Sequence, residues 1–499
     1  MFTFNRALPE EAGVPSRAIL DVITYLDKKI IPMHSILIMR GDKLIFEKYY
    51  APYKADTLHR MFSISKSFTG VAIALLAQEG KLSIDDHIVD YFTEYVNAQT
   101  HHWIKETTIR NMLEMRSCHA SSTFSERSEY NWVESFFTVA PTHKPGTVFH
   151  YDTSATHVLS ALVEKLSGTD LLSYLKDKAL KYVKFSSDSY MIKDPRGVAM
   201  GGSGLMATPL DIMKFLYILK NNGTITDDSG KRRSLFPEDY VKRATSNISD
   251  TLINAPSPCE AQGYGMQIWQ NEKGAFVLYG LGGQFGISIP EQDILIVTTA
   301  DTLGIQGGNQ IIYDAFYNLL LPHIDSTVDA TGAEYTKLIE TTNRLEISLP
   351  RTPENYLRTH ISASSAAFAK YADCYFNLED NWQKYTALHL KLTKDGISYL
   401  ELTREYNDKP ENLRIDFGFT KMQTGIFPIY NKEYTAGAIW LRDNSLYIRV
   451  HMIGEIVGSV HFQFYFGDDD VVVHMHKIEG TYLDEFEGHL YGHLIAQNK

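Results

Sequence analysis

The sequence predicts an α+β protein in two parts: an antiparallel sheet flanked by helices with a helical subdomain over residues 1–325, and a small all-β, barrel-like domain over residues 366–499, with residues 326–365 as a linker. Three observations predict it. A chain of 499 residues is too long for one core, so about two to three domains are expected. In the first part, strand-like stretches lie near the two ends, and helical stripes recur between about residues 80 and 260. Past residue 366 the texture changes to short alternating stretches, separated by turn signals at 408–410, 443–444 and 467–470.

In chain order, Ser16 is expected to cap an amphipathic helix with Ile19, Ile23 and Leu26 on one stripe. Residues 35–39 and 43–47 read as a hairpin turned at Gly41 and Asp42. A buried helix follows Ser63, carrying Phe68, Val71, Ala72, Ile73, Leu75 and Leu76 and stopped by Gly80. Further helices are expected over 109–115, 155–166, 171–183 and 209–219, the second with Leu159, Leu162, Val163 and Leu166 on one face. Strands are expected over 264–270, 276–279, 284–289 and 294–299, and a helix over 309–321 closes the unit. In the second part, 439–440, 446–450, 460–466 and 471–476 are the clearest strands, and Tyr375 and Phe376 are expected in its core.

The chemistry starts at Ser63 and Lys66. Positions i and i+3 lie on one helix face, so the Lys66 amine reaches the Ser63 hydroxyl without help from distant sequence. A serine needs a proton acceptor, and a lysine serves only if burial or a nearby cation lowers its pKa towards neutrality. The apolar residues that follow provide such burial. Ser65 and Ser67 have no lysine three residues on. Alone, so short a pattern is more often a capping serine and a solvated lysine.

Its company changes that. Tyr151 stands just before a helix, after a Pro-Gly turn at Pro145 and Gly146, in the order Tyr151, Asp152, Thr153. A glycine turn over Gly201, Gly202 and Gly204 leads into the 209–219 helix, and a glycine-rich stretch, Gly280, Leu281, Gly282, Gly283, Gln284, Phe285, Gly286, runs into an apolar strand. With these marks in this order over roughly residues 5 to 325, the chain resembles the β-lactamase-related family: class C β-lactamases, DD-peptidases, and the esterases and amidases that share their fold. The resemblance implies Ser63 as nucleophile, Lys66 and Tyr151 as its proton partners, and an oxyanion hole from the amides of Ser63 and Gln284. Which of Lys66 and Tyr151 is the base stays open, since they would titrate together. Thr153, Leu281 and Gly283 fall on substrate-binding positions.

Two of these depart from the antibiotic-hydrolysing members. Thr153 replaces an asparagine, and Leu281 replaces a lysine or histidine, so the carboxylate of a penicillin or peptide has no partner there. Both departures favour a hydrolase of small neutral esters or amides over a β-lactamase or DD-peptidase. A non-catalytic binding or sensing protein is the alternative from another class, and the intact Ser63, Lys66 and Tyr151 count against it. Gly283 is expected to let a substrate carbonyl lie against the strand. The spacing also admits Leu278, Tyr279 and Gly280 as the motif, which moves the oxyanion donor to Leu281.

Composition narrows the setting. A formal charge of −12 without a basic run argues against nucleic acid and anionic membranes as partners. No stretch approaches the roughly 18 to 20 apolar residues of a membrane span, and no secretory signal opens the sequence. Cys118, Cys259 and Cys374 are an odd, scattered set that fits free thiols and a cytoplasmic setting. Of the 18 histidines, His101 and His102 are adjacent and expected to point apart, and His474 and His476 share a strand face without a carboxylate at ligand spacing. No metal or organic cofactor is implied. The only partner implied is a small ester or amide substrate, and nothing specifies an oligomeric state.

Overall fold

The computed structural model describes residues 2–329, 331–351, 365–407 and 409–497. It divides into two compact units, Met1–Tyr49 with Ala55–Arg344, and Tyr50–Lys54 with Leu345–Lys499.

The first unit is built on a seven-stranded sheet. Its strands are β1 (Asn5–Arg6), β2 (Met33–Arg40), β3 (Lys43–Tyr49), β4 (Trp269–Gln270), β5 (Phe276–Gly280), β6 (Gln284–Ile289) and β7 (Ile294–Ala300), in the spatial order β1-β3-β2-β7-β6-β5-β4. All neighbours are antiparallel except β1 with β3. The helices that frame it are α1 (Ser16–Lys28), α2 (Ile64–Gln78), α3 (Thr153–Ser167), α4 (Leu171–Lys178), α5 (Pro209–Lys220), α6 (Gly308–Leu319) and α7 (Ala333–Thr342). Alternation along the strands gives the sheet two apolar faces. Leu37, Met39, Leu278, Leu295 and Val297 share a core with Phe68 of α2 and Phe215 of α5. On the other face, Phe285 stacks on Tyr313 of α6 with ring centroids 4.7 Å apart, and α1 packs on α6 and α7.

Helix α2 is buried from Ile64 to Leu76, on every side. That follows from its composition, since a helix apolar all round is stable only inside a core. A small three-stranded sheet joins Arg60 to Met206 and Met191 to Leu205, which brings the Gly201–Gly204 turn beside the start of α2.

Several elements differ from the sequence expectation. Ser16 begins α1 without capping it: Glu10 Oε1 accepts from Ser16 N at 2.9 Å and does the cap's work, and the Ser16 hydroxyl is buried without a partner among the described residues. The 264–270 strand contracts to β4, because Gln267 adopts a left-handed φ of 61° that breaks extended pairing. Of residues 326–365, the part up to Arg344 belongs to the first unit, where α7 buries Leu338, and residues 352–364 lie outside the described residues. His101 and His102 do not point apart: their rings stack at 4.4 Å where His101 caps a short helix.

The second unit is a ten-stranded antiparallel sheet, β8 (Asp373–Leu378), β9 (Tyr385–Lys391), β10 (Ser398–Tyr406), β11 (Lys409–Phe417), β12 (Gln423–Phe427), β13 (Lys432–Arg442), β14 (Ser445–Met452), β15 (Ser459–Phe466), β16 (Asp470–Ile478) and β17 (Gly488–Gln497). Its order is β11-β10-β9-β8-β17-β16-β15-β14-β13-β12. Gly418, just past β11, bridges to Gly437 of β13 and nearly closes the sheet into a barrel around Phe376, Leu402, Phe417, Ile448 and Phe462. Phe376 lies in this core as expected, while Tyr375, one residue earlier, faces the other way and stacks on His389 at 3.8 Å. His476 has a carboxylate neighbour that spacing did not reveal, Glu487 Oε1 at 3.2 Å from its Nδ1.

Residues 50–54 are part of this second unit. Ala51 N donates to Leu345 O at 2.9 Å, Ile347 N donates to Ala51 O at 2.8 Å, and the Tyr53 hydroxyl donates to Met452 O at 3.2 Å. Among the described residues no helix is long and apolar enough to cross a membrane, and no group of three or more His, Cys, Asp or Glu could hold a metal ion. The three cysteines are free and buried.

Candidate active site

The site is assembled at the start of α2. Phe62, immediately before Ser63, has a left-handed φ of 45°, unusual for a bulky residue and costing about 1 to 3 kcal/mol. The surroundings hold it there. Met61 N donates to Leu205 O at 2.8 Å, the Ser65 hydroxyl donates to Phe62 O at 2.6 Å, and Leu205 N donates to Ser65 Oγ at 2.9 Å. Ser67 is likewise occupied, donating to Gln267 O at 2.7 Å. Ser63 takes the cap position of α2 but its hydroxyl caps nothing. It is left for Lys66.

The Lys66 amine donates to Ser63 Oγ at 3.1 Å, Thr153 Oγ1 at 3.1 Å and Gly202 O at 2.7 Å, and the residue is 1% exposed. A carbonyl only accepts, whereas both hydroxyls can also donate. The cradle therefore holds a neutral amine, with its lone pair towards the Ser63 proton, as well as it holds an ammonium. Burial favours the neutral form and brings the Lys66 pKa from an ordinary 10.5 down to about 7, against the pull of Asp152 and Glu126.

Tyr151 covers this amine, its ring centroid 4.8 Å from Lys66 Nζ. Burial pushes its phenol well above the ordinary range, with the Ser63 hydroxyl and Trp269 opposing part of the shift. The two groups are driven apart: near neutrality the phenol keeps its proton and the amine is free to gain one. The Tyr151 ring rests on Trp269 at 5.4 Å, and Trp269 meets Tyr264 edge-on at 5.0 Å. Asp152, the residue between, caps α3 by accepting from Ser154 N at 2.9 Å, which fixes Tyr151 and Thr153 on either side of it.

The sequence-derived residues are thus partly brought together. Ser63, Lys66, Tyr151 and Thr153 converge, with Thr153 turned to Lys66 in the role of a cradle group. Gln284 does not join them. It is fully buried in β6, where it pairs with Gly280 of β5 and immediately precedes the residues that pair with β7. Its side-chain amide donates to Leu281 O at 2.7 Å and Ala300 O at 2.9 Å, locking the turn from behind. Gly283 also has a different reason to be glycine. With φ 88° it forms the β5–β6 turn with Gly282 at φ 83°, and a Cβ there would press on Ile312, Ala300 and Thr302, all protein side chains.

The structure instead favours the other register. Gly280 ends β5 against the nucleophile turn, where a Cβ would collide with the Met61 carbonyl oxygen. Leu281, the next residue, is 47% exposed. Among the described residues, neither Ser63 N nor Leu281 N donates to another protein group.

Sequence reasoning missed three contributors. The Gly202 carbonyl is a main-chain group that no residue type announces. Asp152 was passed over as the middle of a motif. Arg60, buried at 2% exposure, lies over the Phe62 ring at 4.7 Å and binds Glu126 Oε2 at 2.9 Å, while Ser203 Oγ donates to Glu126 Oε1 at 2.9 Å.

Fold and site together define a hydrolase scaffold of the β-lactamase type. The chain belongs to the Beta-lactamase family, whose model matches residues 22–310. Among characterised sequences it is similar to Protein flp of Staphylococcus aureus (strain MW2), 29% identical over 202 residues that cover 36% of this chain and 40% of flp. It is also similar to 6-aminohexanoate-dimer hydrolase of Paenarthrobacter ureafaciens, 21% identical over 280 residues, 53% of this chain and 71% of that protein. The match therefore spans less than half the length of flp. A solved structure of a candidate 6-aminohexanoate-dimer hydrolase from Bacillus anthracis shares the fold, with TM-score 0.50 and 20% identity, covering 64% of this chain and 88% of that one.

Proposed function

We propose that this protein is a serine hydrolase that acts through an acyl-enzyme on a small neutral ester or amide. The observation that carries the reading is the Ser63 hydroxyl 3.1 Å from a buried amine whose pKa lies near 7. In the first step Ser63 Oγ forms a bond to the substrate carbonyl carbon while its proton passes to Lys66 Nζ. The oxyanion that develops is received by Ser63 N and Leu281 N, donors of a kind worth roughly 3 to 4 kcal/mol each in other acyl transfers. Collapse breaks the bond to the leaving group, which takes a proton from Tyr151, and Lys66 restores that proton to the phenol. Water then attacks the ester carbon, gives up a proton by the same route, and Ser63 leaves with its proton regained.

Leu278 supports neutral substrates, since in the register the structure favours this buried apolar residue takes the motif position where a carboxylate-bearing substrate needs a cation. Amides are included because one relative is named for hydrolysing the dimer of 6-aminohexanoate. Three free, buried thiols support the reducing, cytoplasmic setting expected from their scatter. The test is intact-mass labelling with a fluorophosphonate alongside turnover of p-nitrophenyl butyrate and benzylpenicillin. One adduct per chain, lost in Ser63→Ala, and a higher kcat/KM for the butyrate are expected. Labelling that survives in Ser63→Ala, or a preference for the penicillin, refutes the nucleophile or the substrate class respectively.

A further inference from the structure

Asp152 sits between Tyr151 and Thr153 with its carboxyl wholly buried. Burial raises the pKa of this carboxyl, which keeps its ionised form near neutral pH only with hydrogen bonds and opposite charge around it. It has the first. Ser154 N donates to it at 2.9 Å and Ser117 Oγ at 2.8 Å, and the Ser154 hydroxyl donates as well.

The cations within reach are few. His119 is buried, bonded through Nε2 to Phe136 O at 2.9 Å, and burial lowers its pKa although Asp152 opposes this, so it is neutral near pH 7. The Cys118 thiol stays protonated, pushed up to about 11. That leaves Lys66, tied to the residue after Asp152 by the 3.1 Å bond to Thr153 Oγ1.

Lys66 is faced by one other carboxylate, Glu126, and by the neutral Tyr151 ring. Glu126 is bound by the Arg60 guanidinium at 2.9 Å, so the field of that pair largely cancels at the amine. Among the described residues no guanidinium is bonded to Asp152.

We propose that Asp152 is a positioning residue for Lys66, its buried carboxylate supplying the counter-charge for the ammonium that forms when Lys66 takes the Ser63 proton. The inference rests on the Ser63–Lys66 reading above. The proton moves from Ser63 Oγ to Lys66 Nζ, the charge created is matched by one already fixed nearby, and the same proton leaves again as the leaving group departs. The cost of making a buried cation is lowered at the moment it is made.

Asp, Asn and Ser are comparable helix caps, so Asp152→Asn and Asp152→Ser both remove the charge and keep the start of α3. The pH dependence of kcat/KM for p-nitrophenyl butyrate separates charge from packing. Without the counter-charge the amine protonates less readily, so the acid limb should move down by about one pH unit, and activity at pH 6 relative to the plateau should rise about fivefold while the plateau itself falls. A limb that stays in place in both folded variants, whatever happens to kcat, overturns the role of Asp152. Fluorophosphonate labelling run beside it keeps the two readings apart: adducts that form without Ser63 overturn the mechanism, and adducts that need Ser63 with an unmoved limb overturn only this inference.

Discussion

Replacing Lys66 by methionine should abolish acylation and make the protein more stable, an outcome that most losses of a hydrogen-bonded buried residue would not give. The folded-state pKa of about 7 lies some 3.5 units below the ordinary 10.5. Because the folded value is depressed for a cationic acid, the unfolded chain binds the proton more tightly between the two values. Stability is therefore reduced below about pH 7 and recovers as pH rises towards 10.5. At about 1.4 kcal/mol per unit, the penalty is on the order of 4 to 5 kcal/mol at pH 6 and about 1 to 2 kcal/mol at pH 9.5. Methionine matches the stem of lysine and carries no charge, but it leaves Gly202 O and Thr153 Oγ1 without a donor, which costs about 1 to 3 kcal/mol. The expected net gain at pH 6 is about 1 to 4 kcal/mol, shrinking to nothing or reversing at pH 9.5. Urea unfolding of parent and Lys66→Met at the two pH values reads it directly. A variant less stable than the parent at pH 6, or a difference that does not change with pH, refutes the claim that Lys66 is held as a poorly solvated amine.

Three further outcomes follow from the same geometry. Tyr151→Phe keeps the ring over Lys66 but removes the proton, so kcat for p-nitrophenyl butyrate should fall by about 10² to 10⁴ with KM little changed. Activity within threefold of the parent would make Tyr151 a packing residue. Gly280→Ala places a methyl against the Met61 carbonyl and displaces the turn that carries Ser63, so kcat should drop at least about 10²-fold, whereas Gly80→Ala, at a site open to solvent, should leave kcat near the parent's. Parent hydrolysis should lose activity below about pH 7 as Lys66 becomes protonated, nearly tenfold per pH unit at the foot of the profile, and a flat profile down to pH 5 would exclude Lys66 as base.

The legible parts of the site are the local ones. Ser63 and Lys66 are joined by helix spacing alone, whereas Tyr151, standing just before a helix, is joined to them by the family resemblance that the ordered motifs carry. The oxyanion strand was not local in this sense. Gly280, Gly282, Gly283 and Gly286 offer several places for a turn, and the choice is made by which glycines can take a left-handed φ and which must clear a neighbour. Gly282 and Gly283 do the first and Gly280 the second, so the turn falls between Gly280 and Gln284, and Gln284 lies inside the sheet instead of at the site. The Ser16 cap failed for a similar reason, since a carboxylate from the preceding turn competes for the same helix end. Patterns of alternation located the barrel strands well because each buries one face, and Tyr375 and Phe376 show their limit: adjacent residues on a strand cannot both face the core.

The stretch Tyr50–Lys54 lies some three hundred residues before the rest of the unit that holds it. A ribosome therefore delivers five residues of the barrel unit early and must wait for Leu345, Ile347 and Met452 before Ala51 and Tyr53 can find their partners. The two units cannot be parted by a single cut between them. A gene fragment beginning after Arg344 encodes a barrel unit without the partners of Leu345, Ile347 and Met452, and a fragment ending there encodes a hydrolase that trails an orphaned loop from the strand leading to its nucleophile. The chain has, in effect, tied the completion of its barrel unit to a segment spoken for some three hundred residues earlier.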